Sequence, residues 1–197
     1  MKQVSELDKY KKEYPDIPEE IWRMLNKSDP FTFNHSLRVC EMSKVVEQEL
    51  RLPENKVLSE AGLLHDIGKY FYSHKILEKR GSLTEAERDV INTHAFLSYY
   101  TLMKFGISKA ICEIALYHHT LEPYLFDQKL QPCSDVRIEY FAKIIKTIDI
   151  FEAITSDRSY HRGLSERTAA QCFKDDNIDH DPAVLTILIN NSKITRE

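Results

Sequence analysis

Apolar residues recur at helical spacing along most of this 197-residue chain, and the pattern predicts a succession of helices. The predicted helices cover residues 16–27, 34–50, 54–67, 84–106, 108–119 and 135–155, a segment that begins at Ser165, and residues 181–190. Residues 120–134 contain two prolines and no periodic pattern, so we predict a loop there. The succession of helices predicts an all-α fold.

Capping residues mark several boundaries of these helices. Thr84 and Glu87 have the spacing of a capping box. Gly68 and Gly106 stand where a glycine can end a helix. Asp181 followed by Pro182 is typical of a helix start, so we interpret His180 and Asp181 as helix-start residues and not as metal ligands.

The composition indicates a soluble globular protein, with 42% hydrophobic and 29% charged residues. We expect an N-terminal helical extension over residues 1–30 and one main domain over residues 31–197. The net charge of −4 argues against binding of duplex nucleic acid, but it leaves room for a small anionic substrate. The sequence carries neither a signal peptide nor an apolar run that could span a membrane, so we expect a cytoplasmic protein without a membrane partner.

The four cysteines are far apart in the sequence and form no CxxC pair. They are Cys40, Cys112, Cys133 and Cys172. We expect buried free thiols, which agrees with a reducing compartment.

A series of histidines and aspartates accompanies the predicted helices. It consists of His35 near the start of the second helix, His65 and Asp66 at the end of the third, His94 inside the fourth, His118 and His119 at the end of the fifth, and Asp149 in the sixth. A helical bundle can bring such residues together at its centre.

Each member of the series also has an ordinary structural explanation. A single histidine is by default a core or surface residue. Asp149 could be the buried partner of Lys143 or Arg158, and Lys69 could be a solvated charge at a helix end. The complete set is harder to explain in this way, because bundle stability does not require five histidines and two aspartates on five consecutive helices.

The complete set predicts a metal centre. Its imidazoles and carboxylates, without thiolate, suit iron or manganese, with zinc, nickel or cobalt as alternatives, whereas magnesium and calcium prefer oxygen ligands. Seven ligands are too many for one tetrahedral ion, so we predict two divalent ions with Asp66 as the bridging carboxylate. Two such ions can hydrolyse a phosphoester, and Lys69 would stabilise the charge of the phosphate.

These residues lie in segments that together resemble the HD-GYP branch of the HD-domain phosphohydrolases. The segments are HSLRV (35–39), LLHDIGK (63–69), EKRGSLTEAE (78–87), NTHAF (92–96), the pair HH (118–119) and TIDIFEAITSDRSY (147–160). The resemblance implies a helical HD-domain bundle with a central metal site and a metal-dependent phosphodiesterase activity on a nucleotide, which could be a cyclic dinucleotide.

The resemblance also assigns roles to individual residues. It implies that His35, His65, Asp66 and Asp149 hold one metal. Asp66, His94, His118 and His119 would hold the other. Asp66 and Lys69 would be the catalytic pair, with Lys69 on the substrate phosphate. Arg158 would either support the residues of the site or have a structural role.

Two departures from the branch change these expectations. The glycine-rich loop with a Gly-Tyr-Pro element, which typically follows the two adjacent histidines, is replaced by TLEPYLFDQ (120–128). That loop is the signature of the cyclic di-GMP phosphodiesterases, so the sequence does not name the substrate. Some members carry a glutamate four residues before the first histidine, where this chain has Phe31, so we predict two metals and not three.

Two other functions fit the same residues. One is a di-iron oxygenase of the HD type, which oxygen uptake by the iron-loaded protein would reveal. The other is a nucleotide-binding regulatory module without turnover, which the altered loop suggests and the complete ligand set opposes.

Overall fold

Helices form most of the computed structural model, which describes residues 2–53, 56–77, 79, 81–125, 128–157 and 162–191. In chain order these are α1 Lys2–Glu13, α2 Glu19–Lys27, α3 Pro30–Leu50, α4 Val57–Leu64, a 3₁₀ helix Ile67–Phe71, α5 His74–Leu77, α6 Glu85–Asn92, α7 His94–Lys104, α8 Lys109–Tyr117, β1 Tyr124–Leu125, β2 Gln128–Lys129, α9 Val136–Thr155, α10 Glu166–Asp175 and α11 Pro182–Asn190. The all-α prediction is confirmed.

The predicted caps start several of these helices. Thr84 and Glu87 form both hydrogen bonds of a capping box at α6. The hydroxyls of Ser108 and Ser165 accept backbone N–H bonds at the starts of α8 and α10. Asp181 Oδ1 accepts from the backbone N–H groups of Ala183 and Val184, so the interpretation of this residue as the cap of α11 is confirmed.

The centre of the molecule is formed by α3, α4, α8 and α9, which pack against one another. Their facing residues, among them Phe33, Leu63, Ile114 and Ile145, are buried almost completely. The α7 helix packs against α8 and against the 3₁₀ helix, and α11 lies across α3 and α9. Parts of α3, α4, α8 and α9 are thereby brought close together.

The first two helices share this core. Leu7 and Tyr10 of α1 and Trp22 of α2 are buried in the same hydrophobic cluster as the helices that follow. The division of the chain at residue 30 stays a prediction.

The prediction of one helix from Thr84 to Gly106 was wrong, because the helix is broken at Thr93. The Thr93 hydroxyl donates to the backbone oxygen of Val90 at 2.8 Å and lies 2.6 Å from the hydroxyl of Tyr72. Such local side-chain bonds compete with a continuous helix. As a consequence His94 is the first residue of α7 and not an interior helical residue, while Gly106 ends α7 with φ of +77°.

Gly68 is needed for close packing and not as a helix stop. The third predicted helix ends at Leu64, before His65, and Gly68 lies inside the 3₁₀ helix. A Cβ on Gly68 would lie 2.2 Å from the backbone oxygen of His94. A glycine here therefore allows the 3₁₀ helix to approach the start of α7.

Two smaller predictions are also corrected. Part of the predicted loop forms an antiparallel pair in which Tyr124 opposes Lys129 and Leu125 opposes Gln128. All four cysteine thiols are free as expected, but only Cys40 and Cys112 are buried, and Cys133 and Cys172 are half-buried. Among the described residues no helix has the length and apolar character needed to cross a membrane.

Candidate metal centre

The fold brings all seven predicted ligands to one place between the central helices. His35 comes from α3, and Asp149 comes from α9. His65 and Asp66 lie between α4 and the 3₁₀ helix, His94 begins α7, and His118 and His119 directly follow α8. Three overlapping groups in this cluster have ligand atoms close enough to hold a metal ion: His35, His65 and Asp149; His65, Asp66 and His118; and His94, His118 and His119.

Asp66 lies in the middle of the cluster and is buried. Its Oδ1 is 3.2 Å from Nε2 of His94. Its Oδ2 is 3.5 Å from Nε2 of His35 and 3.4 Å from Nε2 of His65. The two oxygens therefore face different histidines, as a carboxylate shared between two ions would.

Asp149 closes one side of the cluster. Its Oδ1 lies 3.0 Å from Nε2 of His35 and 3.9 Å from Nε2 of His65. Lys143 pairs instead with Asp179, at 2.9 Å, so it is not the partner of Asp149. The other possible partner, Arg158, lies outside the described residues.

His94, His118 and His119 form the opposite side. Nε2 of His94 lies 3.0 Å from Nε2 of His119 and 3.4 Å from Nε2 of His118. His118 is fully buried, whereas His119 is exposed.

Backbone carbonyls fix the orientation of three of the imidazoles. Nδ1 of His65 lies 2.8 Å from the oxygen of Gly62, Nδ1 of His94 2.6 Å from that of Ile91, and Nδ1 of His118 2.7 Å from that of Ala115. A carbonyl oxygen can only accept, so each Nδ1 carries the proton and the lone pair of the neutral ring is on Nε2. All three Nε2 atoms face the shared centre.

One nitrogen atom of the cluster directly supports the binding of a metal ion. Nε2 of His65 is buried and has no hydrogen-bond partner among the described residues. A buried polar atom without a partner is destabilising unless another group satisfies it, and a divalent ion would do so.

The charges in the cluster favour binding of a cation. Burial disfavours ionisation of Asp66, but Lys69 and the surrounding histidines outweigh it and hold the pKa of this carboxyl well below its usual range. Burial lowers the pKa of His65 and, more strongly, that of His118, so both rings stay neutral and able to coordinate.

Two residues behind His35 were not predicted from the sequence. Oε2 of Glu152, which is completely buried, accepts a hydrogen bond from Nδ1 of His35 at 2.5 Å. Its Oε1 accepts from Nε of Arg38 and from the hydroxyl of Ser156. Arg38 follows His35 by three residues, and Glu152 follows Asp149 by three. This spacing places each pair on one helix face and could have pointed to them.

Lys69 lies at the edge of the centre. Its Nζ is 2.5 Å from Oδ2 of Asp66, and 24% of its side chain is exposed. Beside it opens a cleft of about 600 Å³, here called the Lys69–Lys79 cleft, which is lined by Phe31, Lys69, Leu77, Lys79, Leu83 and Ile91 among others. The ring of Phe31 is stacked parallel to that of His35 with centroids 6.4 Å apart.

The remaining histidine-aspartate pair stays outside this centre. His180 donates from Nδ1 to the backbone oxygen of Ile178 and packs against Phe173, while Asp181 caps α11.

The comparisons with known proteins agree on one protein family. A family model described as an HD domain matches residues 20–184. A cyclic di-GMP phosphodiesterase of Pseudomonas aeruginosa is 31% identical over 173 residues, which cover 84% of this chain and 40% of that protein. The 3′3′-cGAMP-specific phosphodiesterase 1 of Vibrio cholerae is 37% identical over 146 residues, which cover 72% of this chain and 33% of that protein. The chain thus spans less than half the length of these relatives.

A solved structure shares the fold. The HD domain of the L. monocytogenes phosphodiesterase PgpH, solved with cyclic-di-AMP, has a TM-score of 0.62 and 20% sequence identity. The similarity covers 89% of this chain and 94% of that one.

Proposed function

Because the chain belongs to the HD domain family, we propose that it is a metal-dependent phosphodiesterase that hydrolyses a phosphoester bond of a cyclic dinucleotide. The observation that carries the proposal is the convergence of seven imidazole and carboxylate side chains, with Nε2 of His65 buried and without a partner in the described part of the chain. The substrate class is supported by the relatives, which are named as phosphodiesterases of cyclic di-GMP and cGAMP.

The proposed centre holds two divalent transition-metal ions, with iron or manganese first. His35, His65 and Asp149 would bind one ion, His94, His118 and His119 the other, and Asp66 would lie between them. Such a pair, when bound, supplies an activated water and neutralises charge on the reacting phosphate.

The protein's own residues orient the reaction. The carbonyls of Gly62, Ile91 and Ala115 hold the rings with Nε2 inward, so little reorganisation accompanies binding. Lys69 Nζ, held by Asp66 and partly exposed to the cleft, would donate a hydrogen bond to a phosphate oxygen. Water adds to phosphorus as the bond to the ribose oxygen breaks, and that oxygen takes up a proton.

The experiment is metal analysis combined with an activity assay. Protein purified with and without air should contain about two transition-metal ions per chain and cleave cyclic di-GMP, cGAMP or cyclic di-AMP when supplied with Mn²⁺ or Fe²⁺. Asp66→Ala should lower both the metal content and kcat, the latter by about 10³-fold or more. The matched control is Asp8→Ala, because Asp8 is an exposed residue of α1, a helix that supplies none of the seven residues.

Other results would favour the other functions. Oxygen uptake by the iron-loaded protein, without hydrolysis, would indicate that the protein is an oxygenase and not a phosphodiesterase. Tight binding of a cyclic dinucleotide without turnover under any metal would identify a binding module.

A further inference from the structure

We propose that Lys79 binds the second phosphate of a dinucleotide whose first phosphate lies at the metal centre beside Lys69. This inference rests on the proposed function and concerns how the same site selects its substrate. It starts from the Lys69–Lys79 cleft, because both lysines line this one space.

The position of Lys79 is set by the start of a helix. Its Nζ donates to Oε2 of Glu87 at 2.5 Å, and the same oxygen accepts the backbone N–H of Thr84 at 2.7 Å in the capping box of α6. An ammonium group has three protons. Within the described residues Glu87 is its hydrogen-bond partner, so protons remain for a ligand.

Two ammonium groups line the cleft, and each is paired with a carboxylate that is not part of the described lining: Lys69 with Asp66 and Lys79 with Glu87. The described lining itself contains no carboxylate, so an anionic ligand in the cleft can accept a hydrogen bond from either ammonium group. Two separate cations suit a ligand with two phosphates better than a ligand with one.

The walls of the cleft suit nucleobases. Leu77, Leu83 and Ile91 are half-buried, and Phe31, which also lines the cleft, is stacked with His35. Half-buried apolar walls around a few charged groups are typical of small-molecule sites, and about 600 Å³ is within their usual size.

The test compares two substrates that differ in the number of phosphates. One is a cyclic dinucleotide, and the other is bis(4-nitrophenyl) phosphate, which has one phosphodiester and no second anion. Lys79→Gln removes the charge and retains a hydrogen-bond donor, on a side chain that is one atom shorter. We compare kcat/KM for the cyclic dinucleotide with kcat/KM for bis(4-nitrophenyl) phosphate. The ratio of the first value to the second should fall about 10-fold in this variant, mainly through a higher KM for the cyclic dinucleotide.

Two further variants make the result specific. Lys79→Arg keeps the charge and should restore most of the ratio. Lys75→Gln changes an exposed lysine four residues earlier that does not line the cleft, and both substrates should be cleaved as by the unchanged protein.

Failure of the proposed role of Lys79 can be distinguished from failure of the proposed function. A ratio unchanged in Lys79→Gln, with both substrates still cleaved, would overturn the role of Lys79 and leave the proposed function intact. Equal losses on both substrates would also overturn it, since they would indicate a structural role through Glu87. If the unchanged protein cleaves neither substrate with any metal, the proposed function itself is wrong.

Discussion

Nδ1 of His35 lies 2.5 Å from Oε2 of Glu152, a carboxylate 117 positions later in the chain. Burial opposes protonation of His35, but hydrogen bonds to Asp149, Asp66 and Glu152 outweigh it and raise the pKa of the ring well above its ordinary value. Glu152 thus fixes the ring from behind while Asp149 and Asp66 face its other nitrogen. A metal ion at Nε2 would replace a proton that these carboxylates now stabilise.

Glu152→Gln should weaken metal binding without removing any predicted ligand. The substitution keeps the shape but removes the negative charge behind His35, and loss of such a supporting partner typically lowers metal affinity by about 10–100-fold. Competition with a chromophoric chelator would measure the affinity for Mn²⁺. Glu139→Gln, an exposed position on the same helix, is the control. Equal affinities in the two variants would rule out this role for Glu152.

Gly68→Ala should damage both stability and the metal centre. The added Cβ would meet the backbone oxygen of His94 at 2.2 Å and the backbone nitrogen of Ser98 at 2.7 Å. Backbone atoms cannot rotate away, so α7 must shift, and we expect a loss of about 3 kcal/mol in the free energy of unfolding. Urea denaturation and metal titration would measure the two effects.

Gly106→Ala provides the comparison for that prediction. Gly106 has φ of +77° and an added Cβ would have no neighbour within 4 Å. The expected loss is about 1 kcal/mol, from backbone conformation alone, with metal affinity retained. If Gly68→Ala behaves in the same way, the close approach to His94 has no role in forming the centre.

Glu60 should make the protein less stable as the pH rises. Burial and the nearby carboxylate of Asp16 raise the pKa of Glu60 from 4.5 to about 7. Between these values the folded state binds more protons than the unfolded state, so the free energy of unfolding falls with increasing pH. Because the side chain is partly exposed, we expect this decline to be about 1–2 kcal/mol.

Glu60→Gln should remove that part of the pH dependence. Urea denaturation at pH 5 and pH 8 should show the variant gaining stability over the unchanged protein at pH 8, with little difference at pH 5. Glu49→Gln, at an exposed position of α3, should show no such gain. A decline of the same size in Glu60→Gln would mean that other groups cause it.

Asp181→Ala should destabilise the fold and leave the metal content unchanged. Asp181 accepts from two backbone N–H groups at the start of α11, and loss of such a cap is worth about 1 kcal/mol. Asp181→Asn, which can still cap, should be close to the unchanged protein. A fall in metal content in either variant would contradict the interpretation of His180 and Asp181 as helix-start residues.

The helical order and the seven converging side chains followed from local patterns in the sequence. Periodicity predicted α3 and α9, and capping residues such as Ser165 and Asp181 gave the helix starts. The break at Thr93 was missed because the apolar pattern continues across it, while the bond to Tyr72 that accompanies the break is a tertiary contact.

The supporting residues of the centre were harder to find for a similar reason. The spacing of Arg38 from His35 and of Glu152 from Asp149 was a weak signal, because nothing in a single sequence marks a glutamate as completely buried. Their role depends on the crossing of α3 and α9, which joins residues far apart in the chain.

Each of three imidazoles is oriented by a carbonyl three residues before it: Gly62 for His65, Ile91 for His94 and Ala115 for His118. Each of these rings therefore has an orienting contact within its own segment of the chain. A small displacement of one segment carries its histidine as a rigid unit, so the spacing between Nε2 atoms changes while each lone pair stays directed inward. If ions of different radius bind here, movement between these segments would adjust the site to them without any histidine changing its tautomer.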